Sequence, residues 1–187
     1  AAAGAGAADD ALTPQDALAQ RAAVMLPPEL LHGGEIIVLL LKPSPWFIVL
    51  APLQTLTTIV IVTLAAAAAA PSLPLDIARR DVVLLGAAAL GVRLFWQLLE
   101  WLSRVYVLTD QRVIAVAGVL RIVVFQATHA KVQHTNLLFS LRERVFGLGT
   151  ITFSTAGTGA AEAAWRMLAR PLEVHQEVVR VINRYRR

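Results

Sequence analysis

From Trp46 to Ala70 no position carries a charge, and after a short polar break a second apolar stretch runs from Val82 to Leu102. At 1.5 Å per residue, about 25 helical residues cross a ~30 Å hydrocarbon core with some tilt. The pattern therefore predicts two transmembrane helices, over about 46–70 and 82–103. Lys42 and Trp46 stand at the start of the first, where a snorkelling cation and an indole suit a headgroup layer. Pro71, Pro74, Arg79, Arg80 and Asp81 make a polar turn, so the pair reads as a hairpin. A cleaved signal peptide is a poor alternative, because about 45 residues precede the first run, the run is too long, and a second follows.

Residues 1–29 form an Ala-rich segment that opens at Ala1 without an initiator Met, compatible with a trimmed start. Within it Thr13 and Pro14 open a short amphipathic helix, Gln15 to Met25, which Pro27 and Pro28 end. Leu30 to Leu41 passes through Gly33 and Gly34 into a β-branched and leucine run and reads as an extended approach to the membrane, so residues 30–103 are expected to hold that approach and the hairpin. Residues 104–187 change character. Arg104 to Thr109 and Arg112 to Ala117 read as two strands joined by a tight turn at Asp110 and Gln111. Further strands are expected at Val119–Gln126, Ala130–Thr135, Thr150–Thr155 and Glu162–Met167. From Pro171 a closing helix carries Val174, Val178, Val181, Ile182 and Tyr185 on one face.

Composition sharpens this picture. The chain is 57% hydrophobic, above an ordinary water-soluble domain, and the excess lies in the two blocks. Cysteine is absent, which removes disulfides, thiolate metal sites and a Cys nucleophile. Residues 1–45 hold five acids and two bases, whereas 104–187 hold five acids and twelve bases. The basic tail is drawn to anionic headgroups by about 1 kcal/mol per residue near the surface. Loop charge also sets orientation: both termini are expected in the cytoplasm, with the chain multi-pass in its membrane. Attachment to a membrane favours lipid over nucleic acid as the partner of the basic half.

The second apolar run is interrupted by Arg93, Gln97 and Glu100, spaced four and three apart and hence on one helical face. A charged group at mid-membrane costs at least about 2.5 kcal/mol, so this face calls for a protein partner: Arg93 with Glu100, the other helix, or a neighbouring subunit. A proton or ion path is the functional reading. Helix packing and snorkelling are the plainer one.

The segment Tyr106, Leu108, Thr109, Asp110, Arg112 ending at Gly118, then Lys131, Val132, Gln133, and then Leu141 to Ile151 (LRERVFGLGTI) resembles the bacterial PH-like membrane proteins once grouped as a domain of unknown function. The Pro171 helix and the Lys42, Pro43, Ser44 stretch before the hairpin fit as well, so the likeness spans about Leu30 to Arg187. It implies an α+β membrane protein in which a two-helix transmembrane hairpin leads into a PH-like seven-stranded, partly open β-barrel capped by a C-terminal helix. Eukaryotic PH domains often hold phosphoinositides with basic side chains at the open barrel end. By that analogy Arg121, Lys131, His134, Arg142 and Arg144, with His129 beside them, become candidate lipid-binding residues.

No catalytic constellation accompanies them. His32, His129, His134 and His175 show no zinc spacing, no GxSxG surrounds Ser103, Ser140 or Ser154, and no Walker loop is present. Thr109, Asp110, Gly147 and Gly149 are explained as turn residues. The expected protein is a non-enzymatic membrane-anchored scaffold without cofactor or metal, self-associating and organising the envelope with membrane lipids and an unidentified membrane protein as partners. The alternatives are an anionic-lipid sensor and an oligomeric channel or transporter subunit.

Overall fold

The computed structural model describes residues 35–70, 78–155 and 161–185. The expected amphipathic helix over 15–25 and most of the polar turn fall outside these residues. Among the described residues the order is β1 (Ile37–Leu41), α1 (Phe47–Leu50), α2 (Leu53–Ala69), α3 (Arg79–Leu102), β2 (Val105–Thr109), β3 (Arg112–Ala117), β4 (Val123–Thr128), β5 (Val132–Leu138), α4 (Leu141–Val145), β6 (Leu148–Thr155), β7 (Ala161–Ala169) and α5 (Pro171–Tyr185). The fold is α+β, with two antiparallel sheets ordered β1-β2-β3-β4 and β5-β6-β7.

The stretch before the hairpin is extended, as its β-branched run predicts, and it belongs to the sheet. Leu41 lies opposite Tyr106 and Leu40 opposite Val107, so β1 is the edge strand of the first sheet. The chain thus leaves that sheet after β1, makes α1 to α3, and returns as the neighbouring strand β2. Both ends of the helical excursion are held by one antiparallel pair, which fixes how the helices emerge.

The first apolar block is not one helix. Pro52 has no N–H to donate back, so the ladder breaks after α1 and restarts at α2, where Leu56 N–H donates to the Pro52 carbonyl at 2.9 Å. At 1.5 Å per residue the 17 residues of α2 reach about 25 Å. Only α3, at 24 residues, is long and apolar enough to cross a membrane among the described helices; α2 is apolar but shorter. The two lie side by side. Thr63 fills the space a Cβ on Gly86 would need, at 2.3 Å, and Arg79 Nε donates to the Ala67 carbonyl at 3.1 Å.

The two sheets enclose a core built on Trp165, with Tyr106 stacked at 5.7 Å and Phe153 edge-on at 5.0 Å between ring centroids. Val178, Val181 and Ile182 of α5 close it from one side, as the apolar face of the closing helix predicts. The strand expected from Val119 begins instead at Val123, because Gly118 turns the chain at φ 119° with the Arg121 carbonyl so close that a Cβ would sit 1.9 Å from it. The short helix α4 was not expected; its capping box, Ser140 with Glu143, is legible in the sequence once looked for.

Candidate functional site

The helices meet the barrel at a small second core: Phe47 and Leu50 of α1 pack on Leu148 and Met167, flanked by Ala51 and Trp101. Polar bonds tie the same junction. Trp101 Nε1–H donates to the Pro43 carbonyl at 2.8 Å, Ser44 N–H to the Met167 carbonyl at 2.9 Å, and Arg142 Nη1–H to the Leu50 carbonyl at 3.0 Å. Lys42 lies 5.5 Å over the Trp101 ring, and Trp46 meets Phe146 at 4.5 Å. Met167 adopts φ 51° at a bulge, where Gly149 pairs with Leu168 but Ile151 with Trp165. Bulges re-aim side chains, and this one sets Arg166 and Met167 toward the junction.

Beside these contacts lies a cleft of about 710 Å³ between the hairpin and the α4 end of the barrel. Three arginines (Arg93, Arg142, Arg166) and two glutamates (Glu100, Glu143) line it together with Phe47, Leu138 and Phe139. Both carboxylates are already engaged. Glu100 pairs with Arg104, one turn on, and accepts Gln97 Nε2–H at 3.3 Å. Glu143 accepts the Ser140 amide at 2.8 Å, the Ser140 hydroxyl at 2.6 Å and the Thr150 hydroxyl at 2.6 Å. Burial alone pushes its carboxyl up; the hydrogen bonds from Ser140 and Thr150, with nearby Arg142, outweigh that and hold it below the ordinary range. Arg93 has no such arrangement: its Nη1 is buried and meets no acceptor among the described residues.

The Arg93, Gln97 and Glu100 row on α3 is thus brought together, but differently than its spacing proposed. Arg104 takes Glu100 because four residues separate them, about 6 Å along the axis, whereas Arg93 stands about 10 Å away. Gln97 is buried in the row.

The basic candidates on the barrel divide between its two ends. Leu41, Val105, Ala117 and Val123 mark one end of the first sheet, beside the hairpin, and Leu138, Thr150 and Met167 mark the same end of the second through the Ser44 bond. Arg121 lies in the loop at this end and Arg142 and Arg144 on α4. Lys131 sits at the opposite end, in the β4–β5 turn, and His134 near it at the start of β5, a strand's length or about 20 Å from α4. The hairpin end is also apolar: Leu120 is 86% exposed, Leu141 82%, Val145 76% and Ile122 64%.

At the far end the structure adds a buried cluster that sequence spacing concealed. Arg112 pairs with Glu35 at 2.7 Å and donates to Gln126 Oε1 at 2.6 Å, and Thr109 Oγ1 bonds the Arg112 carbonyl and amide and Glu35. His129 Nε2 reaches the Thr109 carbonyl at 2.9 Å, while its Nδ1 is buried and has no partner among the described residues. Burial lowers the His129 pKa, and the Thr109 carbonyl, Asp110 and Glu35 offset this only in part. These residues clamp β1 to the β2–β3 turn. Seventy-seven positions separate Glu35 from Arg112, so no local pattern links them.

Comparison with known proteins identifies one sequence family. The sequence profile described as "Bacterial PH domain" matches residues 35–186, hairpin included. A crystallised DUF1696 family protein with a pleckstrin-homology domain from Shewanella loihica PV-4 matches with a TM-score of 0.44 and 7% identity, over 91% of this chain and 98% of that one. No curated protein sequence matches the chain.

Proposed function

The chain belongs to the bacterial PH domain family, and from that premise we propose that it is a membrane-anchored, non-enzymatic scaffold whose barrel rests, hairpin end down, on the anionic cytoplasmic face of a bacterial inner membrane. The observation that carries this reading is the coincidence, at the hairpin end, of exposed Leu120, Ile122, Leu141 and Val145 with Arg121, Arg142 and Arg144. Apolar side chains that exposed cost free energy in water, and arginines beside them suit anionic headgroups. The helices agree in character: Ile61, Val62, Leu64, Leu85, Val92 and Phe95 all face outward. In this reading α1, α2 and α3 form the membrane hairpin, both termini are cytoplasmic, and membrane lipid is the first partner, with no nucleic acid and no cofactor.

Self-association is the second element of the proposal and draws on the exposed faces of α2 and α3, because Gln97 and Glu100 find their partners inside the chain.

The absence of cysteine makes the test direct. Single-cysteine variants Leu120→Cys, Leu141→Cys and Lys131→Cys carry a small fluorophore in vesicles containing headgroup-proximal quencher lipids. The expected result is strong quenching at 120 and 141 and little at 131. Equal quenching at all three positions, or none, contradicts the proposed seating.

A further inference from the structure

The cleft beside the hairpin holds more positive charge than its own carboxylates answer. Glu100 is taken by Arg104 and Gln97, and Glu143 by Ser140 and Thr150. Arg142, near Glu143, uses Nη1 on the Leu50 carbonyl and makes no further hydrogen bond among the described residues. The side chain of Arg166, re-aimed by the Met167 bulge, makes no hydrogen bond or ion pair among the described residues. Arg93 is the sharpest case, since its Nη1 is buried and has no acceptor among the described residues, on a helix long and apolar enough to cross a membrane. Native folds avoid leaving a buried cationic donor without an acceptor.

We propose that this cleft binds a phosphate group through Arg93, Arg142 and Arg166, with an anionic phospholipid headgroup as its source. Guanidinium forks from three different elements suit a tetrahedral anion with several oxygens better than a single carboxylate. At about 710 Å³ the cleft exceeds a bare phosphate and accommodates a headgroup. Its apolar wall of Phe47, Leu138 and Phe139 gives the glycerol and first methylenes a surface to follow toward the exposed hairpin. The lipid source rests on the membrane reading above; phosphate recognition by the cleft does not. A bound headgroup would tie hairpin to barrel through one ligand.

Two arms test it on the full-length protein. In the first, protein extracted in mild detergent with phosphatidylglycerol or phosphatidylcholine is weighed by native mass spectrometry. In the second, delipidated protein is titrated with glycerol phosphate. Phosphatidylglycerol should be retained selectively, and Arg93→Gln or Arg166→Gln should each weaken retention about tenfold, as expected for losing one charge-assisted contact. Arg166 is exposed, so its variant tests the cleft without disturbing the core. Arg184→Gln on α5 should change nothing. Glycerol phosphate binding with the same sensitivity, but no lipid retention, keeps the phosphate site and assigns a free phosphate ester as its source. No binding in either arm, or binding indifferent to both variants, overturns the proposal. Vesicle quenching at Leu120 and Leu141 is independent of this result, so the two readings fail separately.

Discussion

His129 shows how one side chain reports on its surroundings. Its Nε2–H donates to the Thr109 carbonyl, and Nδ1 lies buried with no acceptor among the described residues for the N–H that a second proton would create. Charging the ring would bury an unanswered N–H, which is why burial dominates and the pKa lies below the ordinary 6.5. A histidine with a lowered folded pKa binds fewer protons folded than unfolded, so its contribution is present above 6.5 and is lost as pH falls from there through the folded pKa. Chemical unfolding followed near neutral and at mildly acidic pH should show the wild type losing stability toward acid. His129→Gln, which can keep the donor to Thr109, should lose less; an equal loss would remove His129 as the titrating group. Nothing in the sequence distinguished this histidine from His134, which is exposed on β5. The difference arises because the β4–β5 turn folds His129 under the Thr109 carbonyl, a contact twenty positions away. Arg93, Gln97 and Glu100 were legible as a row because helical spacing is local. Arg166 was not, since only the bulge in β7 turns it into the cleft.

At the scale of elements, strands β2 and β3 and helix α5 follow directly from alternation and helical periodicity, with bounds close to those observed. β1 was legible as extended chain but not as part of the barrel, because a strand's partner is chosen by the far side of the hairpin and not by its neighbours in sequence. The break after α1 falls at Pro52, a residue that the charge-free run from Trp46 to Ala70, read as one helix, passes over. The two long helices make a sharper prediction. Thr63 is pinned by its hydroxyl bond to the Ile59 carbonyl at 2.7 Å and abuts Gly86, while Gly91 has nothing within 4 Å. Gly86→Leu should therefore destabilise the helix pair by about 1–3 kcal/mol through overpacking. Gly91→Leu, one turn and a half further on, should cost nothing measurable. Denaturation of the purified variants in detergent distinguishes them; matching stabilities would mean that α2 and α3 do not pack at Gly86.

The whole molecule is organised by its connectivity: β1 releases the helices and β2 beside it takes them back, so barrel and hairpin meet at a shared junction with the cleft beside it. Membrane anchorage is the central claim of this arrangement, and site-directed labelling in intact cells tests it most directly. With no native cysteine to interfere, Ala78→Cys at the start of α3 and Lys131→Cys at the far end of the barrel report the two sides. The account predicts that a membrane-impermeant maleimide applied outside, with the outer membrane permeabilised where one is present, modifies Ala78→Cys. Lys131→Cys should react only after the cells are broken. Equal reactivity of the two positions before lysis, or protection of both, would contradict a hairpin that crosses the membrane and returns.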